Sequence, residues 1–219
     1  MTAGTRFATV LMALLLCTGG CADSSTRATG VYLLVDTSGT YAKEMSKARA
    51  IVNYMLGTLQ PGDSLAVARI DSGSFSEKDI VAKVTFDGRP SVANNQKRSF
   101  GTAVEDFAKT VRGSAHTDIS GGLLQAVEFL NETRSGNKYV LIFSDLEEDL
   151  DTGQVRDFDI PLSGFSVIAL NVTKLRSDNI DPRDYLSRLD AWRQRVERGG
   201  GHWKVVNDLD RLERILGDA

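Results

Sequence analysis

Val31-Tyr32-Leu33-Leu34-Val35 runs directly into Asp36-Thr37-Ser38-Gly39-Thr40. Five consecutive apolar residues rich in strand formers, without polar alternation, fit a strand buried on both faces. A sheet buries a strand that way when helices cover both of its sides. These ten residues therefore argue for a parallel α/β architecture with a polar loop at the carboxyl end of its first strand.

The pattern holds outward from that stretch. Met45, Ala48, Ile51, Val52, Met55 and Leu59 recur at helical spacing, and Pro61-Gly62-Asp63 stops them. Ser64–Ile70 reads as a second strand and Ile80–Phe86 as a third, close enough to the second to pair antiparallel. A polar loop with Pro90 and Asn94-Asn95 is expected from Asp87 to Arg98. Two helical patterns follow, Ala103, Val104, Phe107, Ala108, Val111 and then Leu123, Leu124, Ala126, Val127, Leu130. Tyr139–Phe143 and Phe165–Leu170 read as strands four and five. Tyr185, Leu186, Leu189, Trp192 and Val196 form a helix ended by Gly199-Gly200-Gly201, Trp203–Val206 is a sixth strand, and Leu209, Leu212, Ile215 and Leu216 line a last helix. The predicted fold class is α/β: a doubly wound, mostly parallel six-stranded sheet with one antiparallel edge strand and helices on both faces. Residues 31–217 read as one domain.

The start of the chain reads differently. Arg6 precedes the apolar run Phe7–Leu16, too short to span a bilayer, and small residues follow up to Cys21. Residues 1–21 are expected to be an export signal. Gly19-Gly20-Cys21 resembles a bacterial lipobox, with Thr18 where leucine is usual; the resemblance implies lipidation of Cys21 and a protein anchored in the cell envelope, facing the periplasm or exterior. Ordinary cleavage after Cys21, giving a soluble periplasmic or secreted protein, is the alternative. Residues 22–30 are small and polar, a flexible tether. Cys17 and Cys21 are the only cysteines of the 219 residues, so the domain is held by its core and not by disulfides. The net charge of -3 gives no electrostatic reason to expect nucleic acid or an anionic lipid surface, which leaves the lipid anchor as the expected membrane contact.

In a doubly wound sheet, ligands bind at the carboxyl ends of the strands. The polar residues there are Asp36, Ser38 and Thr40 after the first strand, Thr117-Asp118-Ile119 ahead of a helix, and Ser144-Asp145 with Glu147-Glu148-Asp149 after the fourth. Carboxylates and hydroxyls are hard oxygen donors that suit Mg²⁺, Mn²⁺ or Ca²⁺. Turn and cap chemistry explains the same residues without a metal, with Thr117 or Asp118 as an N-cap. The acidic run 147–151 could extend a metal site or be a solvated loop, and His116 and His202 carry no separate signal.

Asp36-x-Ser38-x-Thr40, Thr117-Asp118-Ile119 and Asp145, in this order and at these strand ends, resemble the von Willebrand factor type A (vWA) family and its metal-ion-dependent adhesion site. Thr40 stands where the family has serine. The resemblance implies that Ser38, Thr40 and Thr117 offer hydroxyl oxygens to a divalent cation, most readily Mg²⁺, while Asp36 and Asp145 supply charge. A position left open on the metal would accept a carboxylate from a protein partner. It implies a binding module and not an enzyme. Some vWA-like domains are metal-free scaffolds, which is one alternative. The other is a haloacid-dehalogenase-like phosphohydrolase, whose motif Asp-x-Asp-x-Thr is similar to Asp36–Thr40; Ser38 replaces its second aspartate and cannot shuttle the proton. The loop Asp87–Arg98 and the acidic stretch after Asp145 are expected to rim the site.

Overall fold

The computed structural model describes residues 28–38, 44–151, 153, 156, 158–170, 172 and 181–217. The expected signal peptide, Cys21, most of the tether and Thr40 lie outside the described residues. Strand β1 (Thr29–Asp36) is the centre of a six-stranded sheet, flanked in parallel by β2 (Ser64–Ile70) and β4 (Asn137–Phe143). β5 (Phe165–Leu170) and β6 (His202–Val206) continue the parallel array beyond β4, and β3 (Ile80–Thr85) closes the opposite edge antiparallel to β2. The order is β3-β2-β1-β4-β5-β6. The register sets Leu33 opposite Val67 on one side and Leu141 on the other.

Because side chains alternate across a strand, β1 feeds two cores. Val31, Leu33 and Val35 pack with α1 (Met45–Thr58), α2 (Pro90–Thr110) and α5 (Leu209–Gly217). Tyr32 and Leu34 pack on the other face with α3 (Ile119–Glu132) and α4 (Pro182–Arg198). This two-sided burial is what the apolar run from Val31 to Val35 requires. Gly122 lets the start of α3 lie against β1, since a Cβ there would meet Leu34 Cδ2 at 2.7 Å. Among the described residues no helix is long and apolar enough to cross a membrane.

Two expectations are corrected. The segment with Pro90 and Asn94-Asn95 is not a loop but the first part of α2. Pro90 sits at the helix start, where its missing N–H costs nothing and its fixed φ favours the helix. Ala93, Phe100 and Val104 bury one stripe, which outweighs the weak propensity of the asparagines. Nor does Asp87–Arg98 rim the site. β3 runs antiparallel, so its end returns to the amino edge of the sheet, where Phe86 N donates to Asp63 O at 2.8 Å.

Candidate functional site

The chain leaves β1 toward β2 on one side while β4 enters on the other, with α1 and α3 on opposite faces. The strand order reverses here and opens a crevice outside the carboxyl ends of the strands. Asp36 closes β1 in this crevice, only 1% exposed. Its Oδ1 accepts Ser38 N at 2.8 Å and its Oδ2 accepts Ser144 Oγ at 2.8 Å. Ser144 Oγ also accepts Leu146 N at 3.0 Å, so this hydroxyl connects Asp36 to the loop that carries Asp145. Thr37 is held by the sheet, donating from Oγ1 to Ile70 O at 3.0 Å.

Backbone bridges bring the other segments in. Ser114 N donates to Thr37 O at 3.0 Å and Ser38 bridges Ser114, which ties the 114–118 loop to the end of β1. Thr117 N donates to Asp149 O at 2.7 Å and Asp149 N to Thr117 O at 3.0 Å, joining that loop to the one after β4. Asp36, Ser38, Thr117 and Asp145 thus stand on three interlocked segments around one crevice, and nothing is described for Thr40.

Helix α4 holds the loop after β4 from behind. Trp192 Nε1 donates to Leu146 O at 3.0 Å and Arg188 Nε to Asp145 O at 2.9 Å. Leu146 has φ 67° and is buried, a left-handed conformation that costs a non-glycine residue about 1–2 kcal/mol and that these contacts hold in place. Glu148 is not simply solvated: it accepts Ser120 N at 2.7 Å, capping the start of α3, and pairs with Arg195 at 3.2 Å. His116 has acidic neighbours, with Nδ1 at 3.1 Å from Asp149 and Nε2 at 3.6 Å from Asp151.

Asp118 is the N-cap of α3. Its fully buried carboxylate accepts Gly121 N at 2.8 Å and Ser74 N at 3.0 Å, and pairs with Arg156 at 2.7 Å. This anchors the loop after β2 beside Thr117, where Ser114 Oγ also donates to Asp71. The loop around Asp71 and Ser74, not Asp87–Arg98, therefore rims the crevice. Sequence reading placed Ser144 at the strand end without giving it a role, and missed Asp71 and the Arg156 and Arg195 partners. Only Ser144, adjacent to Asp145, left a local signal; Arg156 lies 38 residues from Asp118 and has none.

Burial pushes the Asp145 carboxyl from 3.8 up to about 6, with the neighbouring Asp36 and Glu147 charges adding to the rise. Two carboxylates thus share a desolvated crevice at unfavourable electrostatic energy, which a bound cation would relieve. The donors are all oxygen, as a hard divalent cation prefers. Among the described residues no three His, Cys, Asp or Glu side chains converge as a cation cage. The donor set fits a cation held by two carboxylates with hydroxyl oxygens from Ser38 and Thr117, and not an acidic cage.

Two solved structures share this architecture. The pilus adhesin SpaC from Lactobacillus rhamnosus GG, in its open conformation, matches with TM-score 0.56 and 15% identity over 88% of this chain and 29% of its own. A von Willebrand factor type A protein from Catenulispora acidiphila matches with TM-score 0.54 and 13% identity over 88% of this chain and 41% of its own. The fold is vWA-like. At these identities the likeness shows the fold alone, and the chain spans well under half the length of either protein. No family model matches the vWA-like chain, and no curated protein matches it in sequence.

Proposed function

We propose that the vWA-like domain is a protein-binding module of a bacterial envelope that takes up a divalent cation, Mg²⁺ before Mn²⁺ or Ca²⁺, in the β1/β4 crevice and captures an acidic residue of a partner through it. The observation that carries the reading is the buried pair of Asp36 and Asp145, whose charges oppose each other across one crevice. Asp36 and Asp145 would supply charge to the cation, and Ser38, Thr40 and Thr117 neutral oxygens. When bound, the cation supplies an electrophilic position that a partner carboxylate can occupy. Ser144 keeps Asp36 oriented, and Trp192 and Arg188 keep the Asp145 loop in register. The shared fold with a pilus adhesin supports an interaction role over catalysis.

Calorimetric titration with Mg²⁺ or Mn²⁺ tests the cation. Heat should be released or absorbed saturably, Asp36→Ala or Thr117→Ala should abolish it, and capture of partners from envelope extracts should fail in chelator. No heat at millimolar metal together with an unmoved melting temperature overturns the mechanism. One observation favours a second reading as a metal-free scaffold: both oxygens of Asp36 already accept hydrogen bonds within the fold. On that reading Asp36→Ala costs the same stability with and without metal. The envelope anchor has its own test. Cys21→Ser should abolish incorporation of a labelled fatty acid and release the protein from membranes; unchanged labelling removes the lipid anchor from the proposal.

A further inference from the structure

The sheet ends on β6, which pairs with β5 on one side and, among the described residues, with no strand on the other. The backbone N–H and C=O groups along that outer side are a template for a further strand. The side chains of β6 alternate between the two faces. Trp203 and Val205 pack partly against the α4 core, whereas Val206 joins the α5 core and puts Lys204 and His202 on that same face. His202 and Lys204 are exposed, and neither forms an ion pair among the described residues.

A cleft of about 480 Å³ opens between this edge strand and α4. The helix turns Tyr185, Leu189, Trp192 and Val196 into the core. Leu186, Asp190 and Arg193 form the adjoining stripe and line the cleft together with Leu189 and Trp203. Asp190 and Arg193 pair with each other, so the charges of the cleft are matched and its remaining surface is apolar. Leu186 is 62% exposed, more than any other large apolar side chain described. An open ladder, an apolar cleft beside it and an unpaired lysine on its other face thus coincide at one edge.

We propose that the outer edge of β6 receives an extended segment of a partner polypeptide as an added strand, one in which apolar side chains alternate with acidic ones. The open ladder selects an extended backbone. Every second side chain of the added strand then stands on the α4 face, beside Trp203 and Leu186, where an apolar group covers both. The intervening side chains stand on the other face beside Lys204, where a carboxylate supplies the missing counter-charge. A second copy of this chain fits less well. Two-fold antiparallel pairing centred on Lys204 sets that lysine opposite itself, and pairing centred on Trp203 sets it opposite His202. No residue of the cation crevice takes part, so the two surfaces stand or fall separately.

The test is an NMR titration of the isotopically labelled protein with a short capped peptide of alternating leucine and glutamate. Trp203, Lys204, Val205 and Leu186 should shift saturably. Two further versions carry N-methyl groups, one on the leucine amides and one on the glutamate amides. Successive amides of a strand point to opposite edges, so one version should bind like the parent and the other about tenfold more weakly. A version with lysine in place of glutamate should bind several-fold more weakly, and Lys204→Glu, at an exposed position, should reverse that preference. Leu186→Ser, also exposed, should weaken the parent peptide. Equal binding of the two N-methylated versions, no preference between glutamate and lysine, or no saturable shift overturns the proposal. Slowed hydrogen exchange from Trp203 to Val205 that grows with protein concentration, without peptide, assigns the edge to a second copy and likewise overturns it.

Discussion

Asp145 carries the strongest electrostatic signature of the crevice. Its carboxyl is 5% exposed and has risen from 3.8 to about 6, first through burial and then through Asp36 and Glu147. A carboxyl whose folded pKa lies above its unfolded value favours the native state while it is protonated. That contribution is complete below about pH 4 and is lost as pH rises through about 6, with a total near 3 kcal/mol. In chelator, the wild-type protein should therefore lose about 3 kcal/mol relative to Asp145→Asn between pH 4 and pH 7. Urea unfolding of both proteins at the two pH values measures it, and parallel pH profiles would show that the crevice does not strain this charge. As a carboxylate at a strand end Asp145 was legible in the sequence. Its elevated pKa was not, because it comes first from burial in the assembled fold and then from Asp36, 109 positions earlier, which only the sheet brings alongside.

At the scale of elements, the start of α3 joins the parts of the site. Asp118 caps the helix, receives Ser74 from the loop after β2 and pairs with Arg156 from beyond β4. Gly122 allows the helix to press on Leu34, and Glu148 caps it a second time at Ser120. Asp118→Ala removes the cap and leaves the Arg156 guanidinium without its buried partner, a loss expected to cost about 3–5 kcal/mol. Asp118→Asn retains an oxygen for Gly121 and should cost less. Chemical denaturation ranks the two; a loss below about 1 kcal/mol for Asp118→Ala would mean that the pair behaves as a solvated surface bridge. The cap was one of the readings available from Thr117-Asp118-Ile119. The start of α2 was misread because Pro90 and two asparagines are turn signals locally, whereas Ala93, Phe100 and Val104 form a stripe only once the sheet is there to receive it.

At the scale of the whole molecule, the cation site exists only when β1, the 114–118 loop and the end of β4 are assembled. A ligand of that site binds the native state alone and stabilises it by about 2.7 kcal/mol at a hundredfold excess over its dissociation constant. For a domain of this size that corresponds to a rise in melting temperature of about 5–10 °C. Thermal unfolding with Mg²⁺ or Mn²⁺ and with chelator measures the rise, and Asp36→Ala should remove it. The apo protein should fold regardless, because both cores on either side of β1 are apolar and contain none of the proposed ligands.

The sequence by itself determined the six strands, the helices apart from the first part of α2, and which strand is buried on both faces. Burial is written locally, as an unbroken apolar run from Val31 to Val35 or a helical stripe from Met45 to Leu59. It also located Asp36, Thr117 and Asp145 at segment ends, because a polar residue directly after a buried run must lie at the rim of the sheet. Tertiary structure alone decided which rims meet. The order β3-β2-β1-β4-β5-β6 sets Asp36 beside Ser144 and Asp145, and the reversal of β3 carries Asp87–Arg98 to the far edge while leaving Asp71 and Ser74 beside the crevice. Pairing between distant segments depends on sheet order, strand direction and close approach at glycines such as Gly122, and no local periodicity encodes these.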